Sequence, residues 1–410
     1  MIDIHRARRE PDALRRALAR KGAGELFDEL LVADALWRDL MAEVESLRSR
    51  TRPKKKPTEE QLSGLHAAKD ELKRLEGDLQ LAAERRQDLL DRVPNPPAEE
   101  SPDGFGEDDA VELRRVGEPP SFAFPVRDHV ELGGFDLERG ARLSGSRFTY
   151  RKGPLALVEL AMYRYALDRV VAAGFVPVLP PVLVRKEAMY GTGFLPTDEV
   201  NIYRVERDDL YLTGTSEVAL AGLHQEEVLP ESELPIRYAG YSTCFRREAG
   251  AAGRDSRGAI RLHQFDKVEM FAFSRPESSQ DEHERLLSIE EDIVAGLGLA
   301  YRVVVTAAGD LGPSAAKKYD IEAWVPSEER YREITSCSNT TDFQARRLSI
   351  RLRREDNSLH LVHTLNGTAM TARFLIALVE TYQDAEGEVF VPEVLWPHGA
   401  PKQLSEPPRT

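Results

Sequence analysis

Five arginines gather between positions 246 and 261: Arg246, Arg247, Arg254, Arg257 and Arg261. The segment from Cys244 through Gly258 reads as a strand, a glycine- and arginine-rich tip and a returning strand. It lacks the GxxxxGK[S/T] spacing of a P-loop, and no GxGxxG follows a strand, so the guanidinium groups themselves are the candidate phosphate ligands. A guanidinium fork matches phosphate or carboxylate oxygens in a bidentate way. In the run that follows, Phe265 offers a ring on which a base could stack, and Glu269 an acid that could face a bound amine or hydroxyl. Taken singly, each of these residues also fits a structural salt bridge or a core ring. A second basic cluster, Arg48, Arg50, Arg52, Lys54, Lys55 and Lys56, contains no acid. It is either a solvated turn or a contact to a phosphate backbone.

That second cluster lies at the tip of an expected helical hairpin. Leu30, Ala33, Trp37, Leu40, Val44 and Leu47 follow a 3-4-3-4 spacing on one arm. Leu65, Ala68, Leu72, Leu75, Leu79, Ala82, Leu89 and Val93 do so on the other, with Arg86 as the break. Such a seam packs two helices as a coiled coil. A second arm of roughly 35 residues would reach roughly 50 Å from its base. Pro94, Pro96 and Pro97 stop it, and a Pro/Gly/acidic linker runs to about Gly106.

Beyond it, a long helix is expected over Gly153–Ala173 and an extended segment over Phe175–Val184. Strands are expected at Leu210–Thr213, Ile236–Cys244, Val268–Phe273, Tyr301–Thr306, Tyr319–Val325 and Tyr331–Ser336. Asn366 leads into a last helix from about Ala372 to Tyr382. Helices mixed with short, turn-separated strands give an α+β class with an antiparallel sheet.

The chain has 410 residues and a net charge of −14, yet residues 1–96 hold 20 Lys/Arg against 19 Asp/Glu. The negative charge therefore lies in residues 97–410, and a polyanion should meet the N-terminal part first. The charged N-terminus lacks the apolar run of a signal peptide. The most apolar stretch, Phe175–Val184, is broken by three prolines and too short for a bilayer. The two cysteines, Cys244 and Cys337, give neither a disulfide framework nor a zinc cluster. A reducing cytoplasm is the expected setting.

The runs TGTSEV, FRREAGAAGRDSRGAIRLHQFDKVEMF, YREITSCSNTTDFQARR and HTLNGT, in this order, resemble seryl-tRNA synthetases. The opening MIDIHRARREPDALRRALARKG and the hairpin resemble that family's tRNA-binding arm, so the likeness runs from Met1 to about Pro397. It implies three parts: a tRNA-binding domain with the helical hairpin over 1–106, a class II catalytic domain with a central antiparallel sheet flanked by helices over 107–398, and a flexible tail over 399–410. It implies ATP, L-serine, Mg²⁺ and tRNA(Ser) as ligands, with tRNA(Sec) as a further candidate and no zinc. The helix and strand ending at Pro180-Pro181 resemble the class II dimer motif, which implies a homodimer.

Residue by residue, Arg246 would hold the α-phosphate and Glu248 the adenine amino group. Phe265 and Arg373 would enclose the adenine ring, and Arg247, Arg261, Ile334 and Thr335 would complete the nucleotide's surroundings. Glu333 and Ser336 match the magnesium pair; Arg246, Arg373 and Glu333 are the implied catalytic groups. Thr215, Ser216 and Glu217 match the element that receives the serine ammonium. Glu269 and Thr368 match the readers of its hydroxyl, with Arg246 and Asn366 also on the amino acid. The basic tip would meet tRNA.

The implied chemistry is attack of the serine carboxylate on the α-phosphorus with loss of pyrophosphate, then transfer to a terminal ribose hydroxyl of the tRNA. One departure stands out: Asn366 to Arg373 spans seven steps where the family has eight. The hairpin is also shorter than the family's. Three rival readings are an amino acid:carrier-protein ligase, a non-catalytic synthetase-like RNA-binding protein, and a synthetase paralogue serving a secondary pathway. The first lacks a hairpin and places cysteines where Thr215 and Thr368 stand. The second should show erosion of the ATP and metal residues, which are all present here.

Overall fold

The computed structural model describes residues 1–51, 59–249 and 258–404, with side chains of the second hairpin helix described from 64 onward. Arg52, Lys54, Lys55, Lys56, Arg254 and Arg257 lie outside the described residues. The chain forms two compact units, Met1–Pro96 and Pro97–Thr410.

In the first unit, α1 (Gly24–Thr51) and α2 (Glu59–Arg92) form the hairpin. Exposed ion pairs from Arg48 to Glu76 and from Arg85 to Glu29, both 2.7 Å, run in opposite order along the two helices, so the arms are antiparallel. Leu30, Ala33, Val44, Leu75, Ala82, Leu89 and Val93 are buried, as their spacing requires. The break in that spacing has a purpose. Arg86 sets its guanidinium 4.6 Å over the Trp37 ring and reaches Asp34 at 2.7 Å. Asp34 is 1% exposed and also takes two hydrogen bonds of 2.8 Å from Arg8. Burial alone would raise the Asp34 pKa, but the hydrogen bonds from Arg8 and Arg86 hold it at about 2. A short helix, Ile4–Arg9, is capped by Asp3, which accepts from the His5 and Arg6 N–H groups.

The second unit is built on eight strands: β1 (Val111–Val116), β2 (Val176–Val178), β3 (Ile236–Phe245), β4 (Gln264–Ser274), β5 (Tyr301–Val305), β6 (Lys317–Val325), β7 (Arg330–Thr341) and β8 (His363–Thr371). Their order is β1-β5-β6-β7-β8-β4-β3-β2, antiparallel throughout except for the parallel β2–β3 pair. Helices α3 (Pro154–Ala172), α4 (Ser279–Gly296) and α5 (Ala372–Thr381) contribute Val158, Met162, Ile293, Val294 and Leu375 to the core, against Val268, Met270, Ile321 and Leu365 of the sheet. Pro154 starts α3 where no intrahelical N–H is needed. Gly174, at φ 93°, turns the chain out of it toward β2.

The expected strands appear within a few residues of their expected limits. The segment read as a lead into the last helix is instead β8, which lies between β7 and β4. Its Asn366 and Gly367 are poor strand formers, and pairing on both sides overrides them. Gly367 is required there: a Cβ would lie 2.8 Å from Oε1 of Glu290 and 3.1 Å from the Cys337 Cβ.

Residues 97–106, expected as linker, are tied into the second unit. The Ala98 N–H donates to Ala316 O at 2.8 Å, and Ala308 N–H to Pro102 O at 2.8 Å. The tail is likewise held through Leu404, because Val391 N–H donates to Lys402 O (2.9 Å) and Leu404 N–H to Val389 O (3.0 Å).

Candidate active site

Along β4 every second side chain faces away from the helices, as strand geometry demands. Phe265, Lys267 and Glu269 thereby line one cavity of about 430 Å³. The neighbouring strands complete it with Glu333, Ile334, Thr335, Ser336 and Ser338 from β7 and Asn366 and Thr368 from β8. Arg373 enters from the first turn of α5, whose Thr371 cap accepts the Arg373 N–H. Thr215, Glu217, Arg246, Glu248 and Arg261 close the other side. Among the residues expected on nucleotide or amino acid, only Arg247 and Ser216 do not line the cavity. The Arg247 N–H donates to Asn201 O at 2.9 Å, and the buried Ser216 hydroxyl donates to Gly240 O at 3.3 Å. Arg48 and Arg50 are exposed on α1, and Arg48 is engaged with Glu76.

Hydrogen bonds sort the lining into two groups. In the first, Glu248, in a left-handed backbone conformation at φ 51°, holds Arg261 at 2.7 Å. Arg246 donates to Gly214 O at 3.1 Å, and its guanidinium stands 5.3 Å over the Phe265 ring. Arg373 donates to Glu333 O (3.0 Å) and to its carboxylate (3.2 Å). Arg246 is thus the guanidinium that faces the Phe265 ring. The positive charges of Lys318, Arg373 and Arg246 hold the Glu333 carboxyl below the usual carboxylate range. A carboxylate held ionised beside the Ser336 hydroxyl is a hard-oxygen donor set that fits Mg²⁺.

In the second group, Thr368 donates to Glu269 at 3.0 Å, and Lys267 pairs with the same carboxylate. Glu217 accepts from Gln344 at 2.7 Å and from Asn366 at 2.9 Å. Burial, then the charge of Glu269, raises the Glu217 pKa to about 7. The strand before Arg373 carries an irregularity that fixes one of these contacts. The β4–β8 register passes from Val268↔Met370 to Glu269↔Thr368, which leaves Ala369 as a bulge and sets Thr368 opposite Glu269.

Lys267, Gln344 and Lys318 are among the lining or supporting residues that escaped the sequence reading. Lys267 lies between Phe265 and Glu269 on the same strand face, so alternation alone points to it. Gln344 is fully buried beneath Glu217, and nothing in its local sequence marks that contact. Lys318 belongs to a Lys-Lys pair at the start of β6, where alternation must turn one lysine toward the cavity.

Comparison with known proteins bears on the chain as a whole. Residues 1–97 match the seryl-tRNA synthetase N-terminal domain, and residues 203–382 match the tRNA synthetase class II core domain (G, H, P, S and T). A serine–tRNA ligase of Beutenbergia cavernae is 48% identical over 97% of this chain and 98% of its own length. One of Thermobifida fusca is 47% identical over 97% of each. The crystal structure of seryl-tRNA synthetase from Pyrococcus horikoshii complexed with ATP superposes with a TM-score of 0.92 at 37% identity, covering 98% of this chain and 99% of that one. A fold, a two-group cavity and relatives that align from end to end lead to one assignment: the chain belongs to the seryl-tRNA synthetase family of class II aminoacyl-tRNA synthetases.

Proposed function

We propose that this cavity activates L-serine with ATP and then passes the seryl group to the 3′-terminal adenosine of tRNA(Ser). The observation that carries the reading is the convergence of an arginine and aromatic group with a carboxylate and hydroxyl group in one cavity. Phe265 takes the adenine ring, which replaces the Arg246 guanidinium over that face, while Arg246 moves onto the α-phosphate. Glu248 accepts from the adenine amino group, and Arg373 closes over the ring. The serine ammonium sits against Glu217, and its hydroxyl against Glu269 and Thr368. Such a pocket leaves buried polar groups unpaired when alanine enters and can reject it by about 10⁴–10⁵.

The reaction needs no side-chain nucleophile. The serine carboxylate forms a bond to the α-phosphorus as the bond to pyrophosphate breaks, and the chain's part is to hold the partners in line and to balance charge. Glu333 and Ser336 are the residues that would hold Mg²⁺, which neutralises phosphate charge when bound. The positive hairpin tip meets the tRNA backbone. On α3, Leu157 and Leu160 are 51% and 58% exposed, and Val176 and Leu179 beyond it 55% and 82%. This apolar face is the proposed homodimer contact; sedimentation of a purely monomeric chain at micromolar concentration would refute it. Among the described residues no helix is long and apolar enough to cross a membrane. The activity is tested by serine-dependent ATP–pyrophosphate exchange followed by tRNA charging.

A further inference from the structure

His129 is a buried histidine outside the cavity whose ring ties together parts of its wall. It packs edge-on against Phe135, with ring centroids 5.4 Å apart. Its Nε2 accepts from the Ala259 N–H at 2.9 Å, which places the ring proton on Nδ1. Nδ1 donates to Oε1 of Glu380 at 2.8 Å, and the His129 N–H donates to the same oxygen at 3.0 Å. Glu380 is fully buried on α5, the helix whose first turn carries Arg373. Its other oxygen accepts from the Ser327 N–H at 3.0 Å, on the turn that joins β6 to β7.

The segment that accepts this restraint belongs to the site: Ala259, Ile260, Arg261 and Leu262 all line the cavity. One end of it is set by Arg246, whose N–H donates to His263 O at 2.9 Å and whose carbonyl meets Nδ1 of His263 at 2.8 Å. At the other end the partner is the His129 ring. The approach there is close enough to require glycine. A Cβ on Gly258, at φ 82°, would lie 2.6 Å from Nε2 of His129 and 2.7 Å from its Cε1. A histidine kept only to pair with Glu380 would need neither an acceptor at Nε2 nor a glycine in front of it. Glu380 fixes which nitrogen carries the proton, and the other nitrogen is left to accept from the segment.

We propose that His129 is a positioning residue for the nucleotide: through Nε2 it fixes the Ala259 end of the segment that presents Arg261 to ATP. The proposal rests on the reading of the cavity as an ATP site. Arg261, held by Glu248 at 2.7 Å, is the charge that this segment delivers. A segment released at Ala259 samples arrangements in which Arg261 is out of place, and ATP affinity falls with the fraction of molecules that remain competent. Glu217, Glu269 and Thr368, which form the serine side, stand on other elements.

The test is ATP–pyrophosphate exchange on the full chain, with the ATP KM measured at saturating serine and the serine KM at saturating ATP. His129→Asn keeps a donor beside Glu380 but cannot reach Ala259, whereas His129→Gln carries its side-chain oxygen to the place of Nε2. The asparagine variant should raise the ATP KM by about three- to tenfold, the size of one lost hydrogen bond, with the serine KM within about twofold of wild type. The glutamine variant should recover most of that loss. Should His129→Asn fail to fold, Gly258→Ala drives the segment off the ring while leaving the His129–Glu380 pair in place, and should give the same split. Equal rises in the two KM values, an unchanged ATP KM, or asparagine and glutamine variants that behave alike would overturn the positioning role while leaving the cavity an ATP site. A wild-type chain with no serine-dependent exchange would instead overturn the ATP reading, and the histidine's role with it.

Discussion

Glu217 gives the serine pocket a pH dependence that can be worked out from its surroundings. Its carboxyl is buried, and burial followed by the nearby Glu269 charge raises its pKa to about 7, with Gln344 pulling the other way. A serine ammonium binds the ionised carboxylate, so below the pKa a proton must leave before serine can enter. The sign is therefore fixed: the apparent KM for serine is lowest above pH 7 and rises as the pH falls. For a pKa of about 7 the rise is about twofold at pH 7 and about elevenfold at pH 6, approaching tenfold per unit.

Gln344→Leu deletes the 2.7 Å hydrogen bond that favours the ionised form. A hydrogen bond to a charged group contributes roughly 1.5–3 kcal/mol, or about one to two pKa units. A shift of about one unit multiplies the serine KM at pH 7.5 by about threefold and moves the whole limb upward. The assay is ATP–pyrophosphate exchange at saturating ATP between pH 5.5 and 8. A wild-type KM that is flat from pH 6 to 8 would refute the reasoning. So would a Gln344→Leu defect of the same factor at every pH, which would mark Gln344 as a packing residue alone.

Other parts of the account make their own claims. Glu269→Ala should raise the serine KM by about 10- to 100-fold, as expected for a hydrogen bond to a charged group, while ATP affinity moves far less; equal losses in exchange assays and ATP dialysis would undo the hydroxyl-reading assignment. Replacing Lys54, Lys55 and Lys56 with Glu should spare pyrophosphate exchange but cut tRNA charging, and should flatten its salt dependence. Unchanged charging at physiological salt would leave the tip a solvated turn. Asp34→Ala should destabilise the N-terminal unit by roughly 2–3 kcal/mol, since Arg8 and Arg86 lose their shared partner. Because the Asp34 pKa is depressed to about 2, its contribution is present above the ordinary carboxylate range and fades as the pH falls from about 4 toward 2. Thermal unfolding that is equally pH-sensitive in Asp34→Ala and wild type over that range would contradict this.

How far the sequence reveals the molecule depends on which force sets each element. Leu75, Ala82 and Leu89 reveal α2 because a helix buries one stripe, and the break at Arg86 announces a polar contact without naming Asp34 as its partner. The strands over Ile236–Phe245 and Lys317–Val325 are legible as short runs of strand-forming residues bounded by turns. β8 is not, because Asn366 and Gly367 are chosen for what they meet: the Glu217 carboxylate on one face, and Glu290 and Cys337 on the other. Phe265, Glu333 and Arg373 could be named from long motifs, but their ligand-free pairings could not. That Arg246 faces Phe265 and Arg373 holds Glu333 follows from side-chain geometry across three elements. Gln344 and Lys318 escape because the helix over Phe343–Leu348 is not expected from the sequence and the strand is expected only from Tyr319, while their contacts come from other elements.

The central claim is that one cavity selects serine and joins it to AMP. ATP–pyrophosphate exchange measured with each of the twenty amino acids, followed by tRNA charging with the best of them, tests it most directly. The account predicts exchange that depends on serine, with alanine, glycine and threonine far behind, and serine carried onto tRNA(Ser). Exchange driven best by another amino acid, or none with any, would contradict it.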